Sequence, residues 1–168
     1  MSDPAPDDDE EADFETSLAM PPLYLLRTAV RCWRCREAEF VYSLGCAAYH
    51  AGEFRSPVRE FHFLHAVRSV PDALLALLKP KCPLYFFDQE EETDPPYLMN
   101  HCRCEGKLDD DFLHGDVGAA FWPDTPEGYG HFKLFRLPIE EAIPIQCDCF
   151  VGGGEYLDFS QARRLTDL

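Results

Sequence analysis

The sequence predicts an α+β fold that is rich in β-structure, with a single domain over residues 19–168 behind a disordered acidic tail over residues 1–18. Three observations support this prediction. Short apolar and aromatic segments recur between turn residues, two close cysteine pairs each follow such a segment, and one apolar stretch has a helix-forming composition. The chain of 168 residues fits one domain, and its 46% hydrophobic and 13% aromatic content is sufficient for a core.

The first sixteen residues are unlike the rest of the chain. They contain eight acidic and no basic residues, with few apolar side chains, so they cannot bury enough apolar surface to fold. They also lack the basic and then apolar pattern of a signal peptide, and no run of eighteen apolar residues occurs anywhere. We therefore expect a disordered tail on a soluble, cytoplasmic protein that does not contact the membrane.

The first predicted hairpin surrounds the first cysteine pair. Leu23–Leu26 has the composition of a strand, Cys32-Trp33-Arg34-Cys35 follows it, and Glu39–Leu44 supplies the returning strand. In a Cys-x-x-Cys turn, two thiolates can bind one metal ion. The order of strand, cysteine turn and strand is typical of zinc ribbons.

The middle of the chain predicts one short helix. Pro71 fits an early helical position, where its missing N–H is not needed, and the segment 73–78 is apolar nearly all round before Pro80 ends it. We expect this helix, near residues 71–79, to be buried against the sheet. The preceding segment, 60–67, has apolar residues on both faces, and we interpret it as a strand.

A second predicted hairpin leads to the second cysteine pair. Strand-like segments at 83–87 and 97–100 flank an acidic loop, and the second of them runs into Cys102-Arg103-Cys104. The acidic tip of this hairpin comprises residues 88–94, with five carboxylates and no adjacent basic residue in the sequence: Asp88, Glu90, Glu91, Glu92 and Asp94. We expect it to be exposed.

The two cysteine pairs predict a structural zinc site. Four thiolates in tetrahedral geometry suit zinc and leave no open coordination position for catalysis. The predicted ligands are Cys32, Cys35, Cys102 and Cys104. The 66 residues between the pairs are compatible with this, because a metal ion that joins distant segments removes chain entropy. The alternatives are buried reduced cysteines or, in a secreted protein, disulfides.

The other four cysteines allow a second site. Cys147 and Cys149 form a close pair that could join Cys46 and Cys82 around another metal ion. Because Cys46 and Cys82 are isolated and flanked by apolar residues, packing in the core is the favoured interpretation.

Several of these segments together resemble a group of uncharacterised bacterial zinc-ribbon-like proteins. The resemblance is carried by Cys32–Cys35, Tyr97–Cys102, Asp111–His114 and Phe121–Pro123, and it covers approximately residues 23–123. It implies a Cys-Trp-x-Cys knuckle, an Asn-His-Cys-x-x-Cys-Gly knuckle, a Gly-Asp-Phe-x-Leu-His strand and a zinc site. Here the second knuckle is one residue shorter, which makes His101 the nearest substitute for the fourth ligand.

Composition and motifs favour a binding protein over an enzyme. The net charge of −16 disfavours broad contact with nucleic acid and suits a basic partner. No metalloprotease helix, deaminase motif, phosphate loop or nucleophile elbow is present. We expect a non-catalytic, zinc-stabilised protein that binds a basic protein partner through its acidic tip. One version is a bacterial immunity or inhibitor protein that neutralises a toxin.

Two other functions remain open. The first is a nucleic-acid-associated zinc-ribbon regulator, which would use the arginines around the first cysteine pair: Arg27, Arg31, Arg34 and Arg36. The second is a metal-dependent hydrolase that would use the histidines. The sequence does not fix the oligomeric state.

Overall fold

The computed structural model describes residues 16–168. The disorder expected for residues 1–15 lies outside this range, whereas the first strand begins at Ser17, inside the predicted tail. The strands are β1 (Ser17–Arg31), β2 (Ala38–His50), β3 (His62–Ser69), β4 (Tyr85–Asp88), β5 (Tyr97–His101), β6 (Lys107–Leu108), β7 (Lys133–Arg136), β8 (Ile143–Val151) and β9 (Arg163–Arg164). The helices are α1 (Asp72–Leu78), α2 (Asp110–His114) and α3 (Pro126–Tyr129), with short 3-10 turns near the C-terminus. The predicted β-rich architecture is confirmed.

The larger sheet has six strands and closes on itself. β1 pairs with β2, β2 with β3, β3 with β8, and β8 with the beginning of β1, all antiparallel. These four strands therefore form a ring. β7 pairs with the later part of β1, and β9 adds to β7 in parallel.

Two prolines explain how β1 can serve two neighbours along one edge. Pro21 and Pro22 cannot donate a backbone hydrogen bond, and the register with β2 shifts between Met20 and Leu23. Before this break Ser17–Ala19 pairs with β8, and after it Tyr24–Arg27 pairs with β7. The proline pair thus divides β1 into two ladders.

The smaller sheet carries the predicted second hairpin. β4 and β5 pair antiparallel, and β6 pairs with the end of β5. The sheet is fastened to the ring by Asn100, whose side-chain amide donates to the Tyr42 carbonyl and accepts from the Tyr42 N–H, both at 2.8 Å. Since Asn100 is fully buried, these two bonds fix the small sheet against β2.

Apolar side chains form two cores on either side of the ring strands. One is mainly aliphatic and includes Leu25, Leu64 and Leu74 from β1, β3 and α1. The other is largely aromatic and includes Phe63, Phe121 and Phe132. Gly45 of β2 pairs with β1 on one side and β3 on the other. An added Cβ there would clash with the ring of Phe61, so this position has no room for a side chain.

Two helical expectations need correction. The helix near residues 71–79 forms as α1, but only Leu74 and Leu78 are fully buried and the opposite face is exposed, so it is not buried all round. The strand implied for residues 111–114 is wrong, because they belong to α2. Asp109 accepts a bond from the Phe112 N–H at 2.8 Å and caps this helix at its N-terminus.

Candidate metal centre and acidic hairpin

The two cysteine pairs meet in space at the turns of two hairpins. Sγ of Cys32 lies 3.7 Å from Sγ of Cys104, and Sγ of Cys35 lies 3.6 Å from Sγ of Cys102. All four sulfurs lie within 4.8 Å of one another. A tetrahedral ion at the zinc–sulfur distance of about 2.3 Å would separate its sulfurs by roughly 3.8 Å. The four thiols therefore fit one metal ion.

Backbone hydrogen bonds hold each pair in a closed turn. In the first turn the Cys32 N–H donates to the Glu37 carbonyl, and its carbonyl accepts from the Arg36 N–H, both at 2.9 Å. In the second, the Cys102 N–H donates to Gly106 at 2.9 Å, and its carbonyl accepts from Glu105 at 2.8 Å. Each turn is thus closed by its own backbone.

Although the second knuckle is one residue shorter than the first, both knuckles have a residue in the left-handed conformation directly after their last cysteine. Arg36 and Glu105, which directly follow the last cysteine of each pair, have φ values of 67° and 66°. A Cβ at Gly106 would lie 3.2 Å from Sγ of Cys104 and 3.4 Å from Sγ of Cys32. The displaced glycine therefore avoids a tight contact where the backbone passes the sulfurs.

His101 does not belong to the metal centre. Its Nε2 lies 2.9 Å from Oδ2 of Asp88, and its ring stacks on Phe86 with a centroid separation of 3.9 Å. The expectation that His101 could replace the fourth ligand is therefore wrong for this structure. Cys104 is the fourth residue of the cluster.

The thiols of the centre influence one another. Although burial opposes ionisation, the N–H groups of Cys35 and Arg34 and the neighbouring thiols lower the pKa of Cys32 to about 7. The hydrogen bond from the Cys104 backbone lowers the pKa of Cys102, but burial and the adjacent thiols together raise it to about 12. A second negative charge is thus disfavoured unless a cation shares the space.

Three of the four arginines beside the centre make contacts within the protein. Arg34 donates to the Cys104 carbonyl at 3.1 Å, and Arg31 to the Arg36 carbonyl at 3.2 Å. The Arg27 guanidinium lies 4.5 Å from the centroid of the Phe40 ring. The Arg34 bond joins the two knuckles, and all three contacts reduce the number of donors left for a phosphate.

The other four cysteines do not make a second centre. Within residues 16–168, which include all eight cysteines, only the first group places three or more potential ligand atoms together. Burial raises the pKa of Cys46, Cys82 and Cys147 to about 12 in each case, and it also raises that of Cys149. These thiols are protonated packing residues.

The acidic tip lies at the turn between β4 and β5, and its residues differ in their surroundings. Asp88 is held by His101 and by the Lys107 ammonium, whose Nζ lies 3.3 Å from Oδ2. Glu90 accepts from the Tyr97 hydroxyl at 2.7 Å. Although no basic residue is adjacent to the tip in the sequence, Lys107 of β6 reaches Asp88 in space.

Four of the five acidic residues of the tip are exposed, namely Glu90, Glu91, Glu92 and Asp94, whereas Asp88 is half-buried. Glu91 and Glu92 project into solvent, and Asp94 is exposed while one of its oxygens accepts from the Glu91 N–H at 3.0 Å. The bond from His101, then those from the Gln89 N–H and Lys107, lower the pKa of Asp88 against the effect of burial. The base of the tip is thus fixed, and its end carries free charge.

Sequence reasoning missed a buried polar network beneath the tip. His114 lies with Nε2 at 3.0 Å from the Ser43 hydroxyl and Nδ1 at 3.4 Å from Oδ1 of Asp110. Asp110 also accepts from the Ala66 N–H, and its own N–H donates to Tyr97. The only sequence signal was the i, i+4 spacing of Asp110 and His114.

This network has the order of a Ser-His-Asp triad without its accessibility. Ser43 is 1% exposed in the middle of β2, and its hydroxyl is also within reach of the Leu64 carbonyl at 3.3 Å. A nucleophile must meet its substrate, and Ser43 cannot. The network is therefore better explained as a structural link between β2, β3 and α2.

The fold and site define a β-rich protein with a four-cysteine centre that could hold a metal ion. Comparison with known proteins gives no match among family models, curated proteins or solved structures. In the part of the chain from residue 16 onward, no helix has the length and apolar character required to cross a membrane.

Proposed function

We propose that this is a non-catalytic, zinc-stabilised protein that binds a basic protein partner. The observation that carries the proposal is the fixed acidic tip, whose exposed carboxylates lie on a hairpin that runs directly into the metal centre. β5 ends at His101, one residue before Cys102, and His101 bonds the base of the tip through Asp88. A bound metal ion would therefore stiffen the same hairpin that presents the charges.

Zinc is the metal that suits the four ligands. Four thiolates with tetrahedral spacing and no open position match a structural zinc site of the ribbon or treble-clef kind, with each pair at a hairpin turn. In this arrangement the ion links β1 and β2 to β5 and β6. The chain's own contribution is to position the sulfurs by the two closed backbone turns.

Electrostatics favour a basic partner. The chain has 31 acidic and 15 Lys or Arg residues, and several of those bases already pair with acids, as Arg103 does with Glu39 at 2.9 Å. A preorganised cluster of carboxylates accelerates association with a cationic surface and avoids the self-repulsion that it has when free. An inhibitor or immunity protein that covers a basic cleft is the sharpest form of this proposal.

The alternative function, binding of nucleic acid, is less well supported. Of the four arginines expected to contact phosphate, Arg31 and Arg34 bond the knuckle backbone and Arg27 stacks on Phe40. The hydrolase alternative has no accessible constellation within residues 16–168, since the nearest arrangement includes the buried Ser43.

The test uses a ten-residue oligo-arginine peptide as a basic probe and a labelled oligonucleotide as the competing class. The tip variant Glu91→Gln/Glu92→Gln removes two exposed charges and spares Asp88, Glu90 and Asp94, which have internal partners. A matched control, Glu53→Gln/Glu127→Gln, removes two exposed charges elsewhere.

We expect the tip variant to slow association with the peptide by about tenfold at low salt, and the control by less than about twofold. Equal effects of the two variants would mean that association depends on the net charge of the protein and not on the tip, which would contradict the proposal. Binding of the oligonucleotide with a steep salt dependence, and no binding of the peptide, would overturn the proposal.

A further inference from the structure

We infer that the cavity beneath the acidic tip is the pocket for a single cationic side chain, lysine or arginine, of the basic partner. This inference rests on the proposed function and specifies where the partner is recognised. The cavity has a volume of about 340 Å³ and lies between the tip, β3 and α2. It is therefore continuous with the exposed carboxylates that would attract the partner.

The wall of the cavity is strongly acidic. Four carboxylates line it: Glu90, Asp94, Asp110 and Asp111. The single guanidinium in the wall, that of Arg68, is neutralised by both oxygens of Asp148 at 3.0 and 3.3 Å. The net charge of the lining is therefore negative, and it suits a cation.

An unpartnered buried atom also points to a ligand. The His114 side chain is 2% exposed and lines the cavity, and its Nδ1 has no hydrogen-bond partner although Oδ1 of Asp110 lies 3.4 Å away. When the Ser43 hydroxyl donates to the Leu64 carbonyl, His114 can donate from Nε2 to Ser43, which leaves Nδ1 as an acceptor. An ammonium or guanidinium N–H would then satisfy both Nδ1 and the carboxylate.

The lining also accommodates an aliphatic stem. Ala66, Pro95 and the ring of Tyr97 provide apolar wall beside the acids. Lys and Arg side chains bury their methylene groups against such surfaces while the charged end is paired. A metal ion is a poorer occupant, because these residues do not bring three ligand atoms together as the four cysteines do.

The network below the cavity holds it open and in place. The Tyr97 hydroxyl donates to Glu90 and accepts from the Asp110 N–H at 3.1 Å, while Asp110 accepts from the Ala66 N–H. Ala66 has a left-handed φ of 44° and lies at the irregular part of β3, where its N–H bonds that carboxylate. The acids are thus preorganised before a ligand arrives.

The experiment titrates the full-length protein with the peptide Gly-Gly-Arg-Gly-Gly, its lysine counterpart and an alanine counterpart, and follows the imidazole resonances of His65 and His114 by NMR. We expect the cationic peptides to shift the His114 resonances and the alanine peptide to leave them unchanged. The pocket variant is Glu90→Gln/Asp111→Asn, which keeps the acceptor for Tyr97. The control is Glu53→Gln/Asp116→Asn, which removes the same charge from exposed positions outside both the cavity and the tip.

The pocket variant should weaken binding of the arginine peptide about three- to tenfold and the control less than about twofold. Unchanged His114 resonances on saturation with the cationic peptides, or equal weakening by the two variants, would overturn the pocket. If the oligo-arginine probe loses affinity in the tip variant while the pocket variant binds normally, the proposed function stands and the pocket fails. If no cationic peptide binds at any salt concentration, both fail.

Discussion

Nε2 of His101 lies 2.9 Å from Oδ2 of Asp88, so the residue before the second cysteine pair bonds the base of the acidic tip. The metal centre and the acidic hairpin are thereby adjacent parts of one unit. His101 is buried, and its ring stacks face to face on Phe86. The residue that precedes the second knuckle is therefore in direct contact with the base of the tip.

Substitutions at the metal centre should separate the roles of Cys104 and His101. We predict about one zinc per chain in the wild type, and a metal affinity reduced more than about tenfold in Cys104→Ser, because one of four ligand sulfurs is lost. His101→Gln should retain the metal. The measurement is elemental analysis with chelator competition, and metal retained by Cys104→Ser but lost by His101→Gln would reverse the assignment.

The anchor of the tip can be tested by stability. Asp88→Asn removes the charge that His101 and Lys107 share, and should lower the free energy of unfolding by about 1–2 kcal/mol at pH 7. Glu92→Gln, at the exposed end of the same tip, should change it by less than ~0.5 kcal/mol. Urea denaturation measures both, and equal values would mean that the bonds to Asp88 contribute nothing.

Buried histidines should make the protein less stable in mild acid. Burial, followed by the neighbouring His114 and Arg68, lowers the pKa of His65, although Asp110 and Asp148 oppose this effect. Burial also lowers the pKa of His62. The unfolded chain therefore binds more protons below about pH 6.5, and stability present above that pH is lost as pH falls through the folded pKa values.

The measurement is the urea midpoint at pH 7.5 and pH 5.5. We expect a lower midpoint at pH 5.5, and a smaller difference in His65→Gln, which cannot take up the proton. Asp88, whose pKa is also lowered, adds its loss of stability only in more acidic solution, below about pH 4. A midpoint that rose between pH 7.5 and pH 5.5 would contradict the prediction.

Gly45 should be intolerant of a side chain. An alanine Cβ would come within 2.9 Å of Cε1 of Phe61 and 3.0 Å of Cδ1 of Leu26, so Gly45→Ala should cost about 1–3 kcal/mol of unfolding free energy. In a Phe61→Leu background the smaller side chain leaves room, and the same substitution should cost less. A double-mutant cycle measures this coupling, and strictly additive costs would locate the strain elsewhere.

The local elements were predictable where one short segment contains its own signal. The strands flanking Cys32 and Cys35, the helix that begins after Pro71 and the hairpin around the acidic loop follow from composition and turn residues. The spacing of the two cysteine pairs also predicted that they lie close together in space. This was possible because thiolates at close spacing have few other uses in a reduced protein.

The sequence by itself therefore determined the β-rich class, the four cysteines that could hold a metal ion and the acidic segment at residues 88–94. The tertiary structure decided that Cys104 and not His101 completes the centre, and that β8 closes the ring against β3 and β1. It also decided that Lys107 neutralises Asp88, and that Asp110 and His114 lie beneath the tip. These contacts join segments that are far apart in the chain, so they cannot be predicted from residue spacing or local propensity.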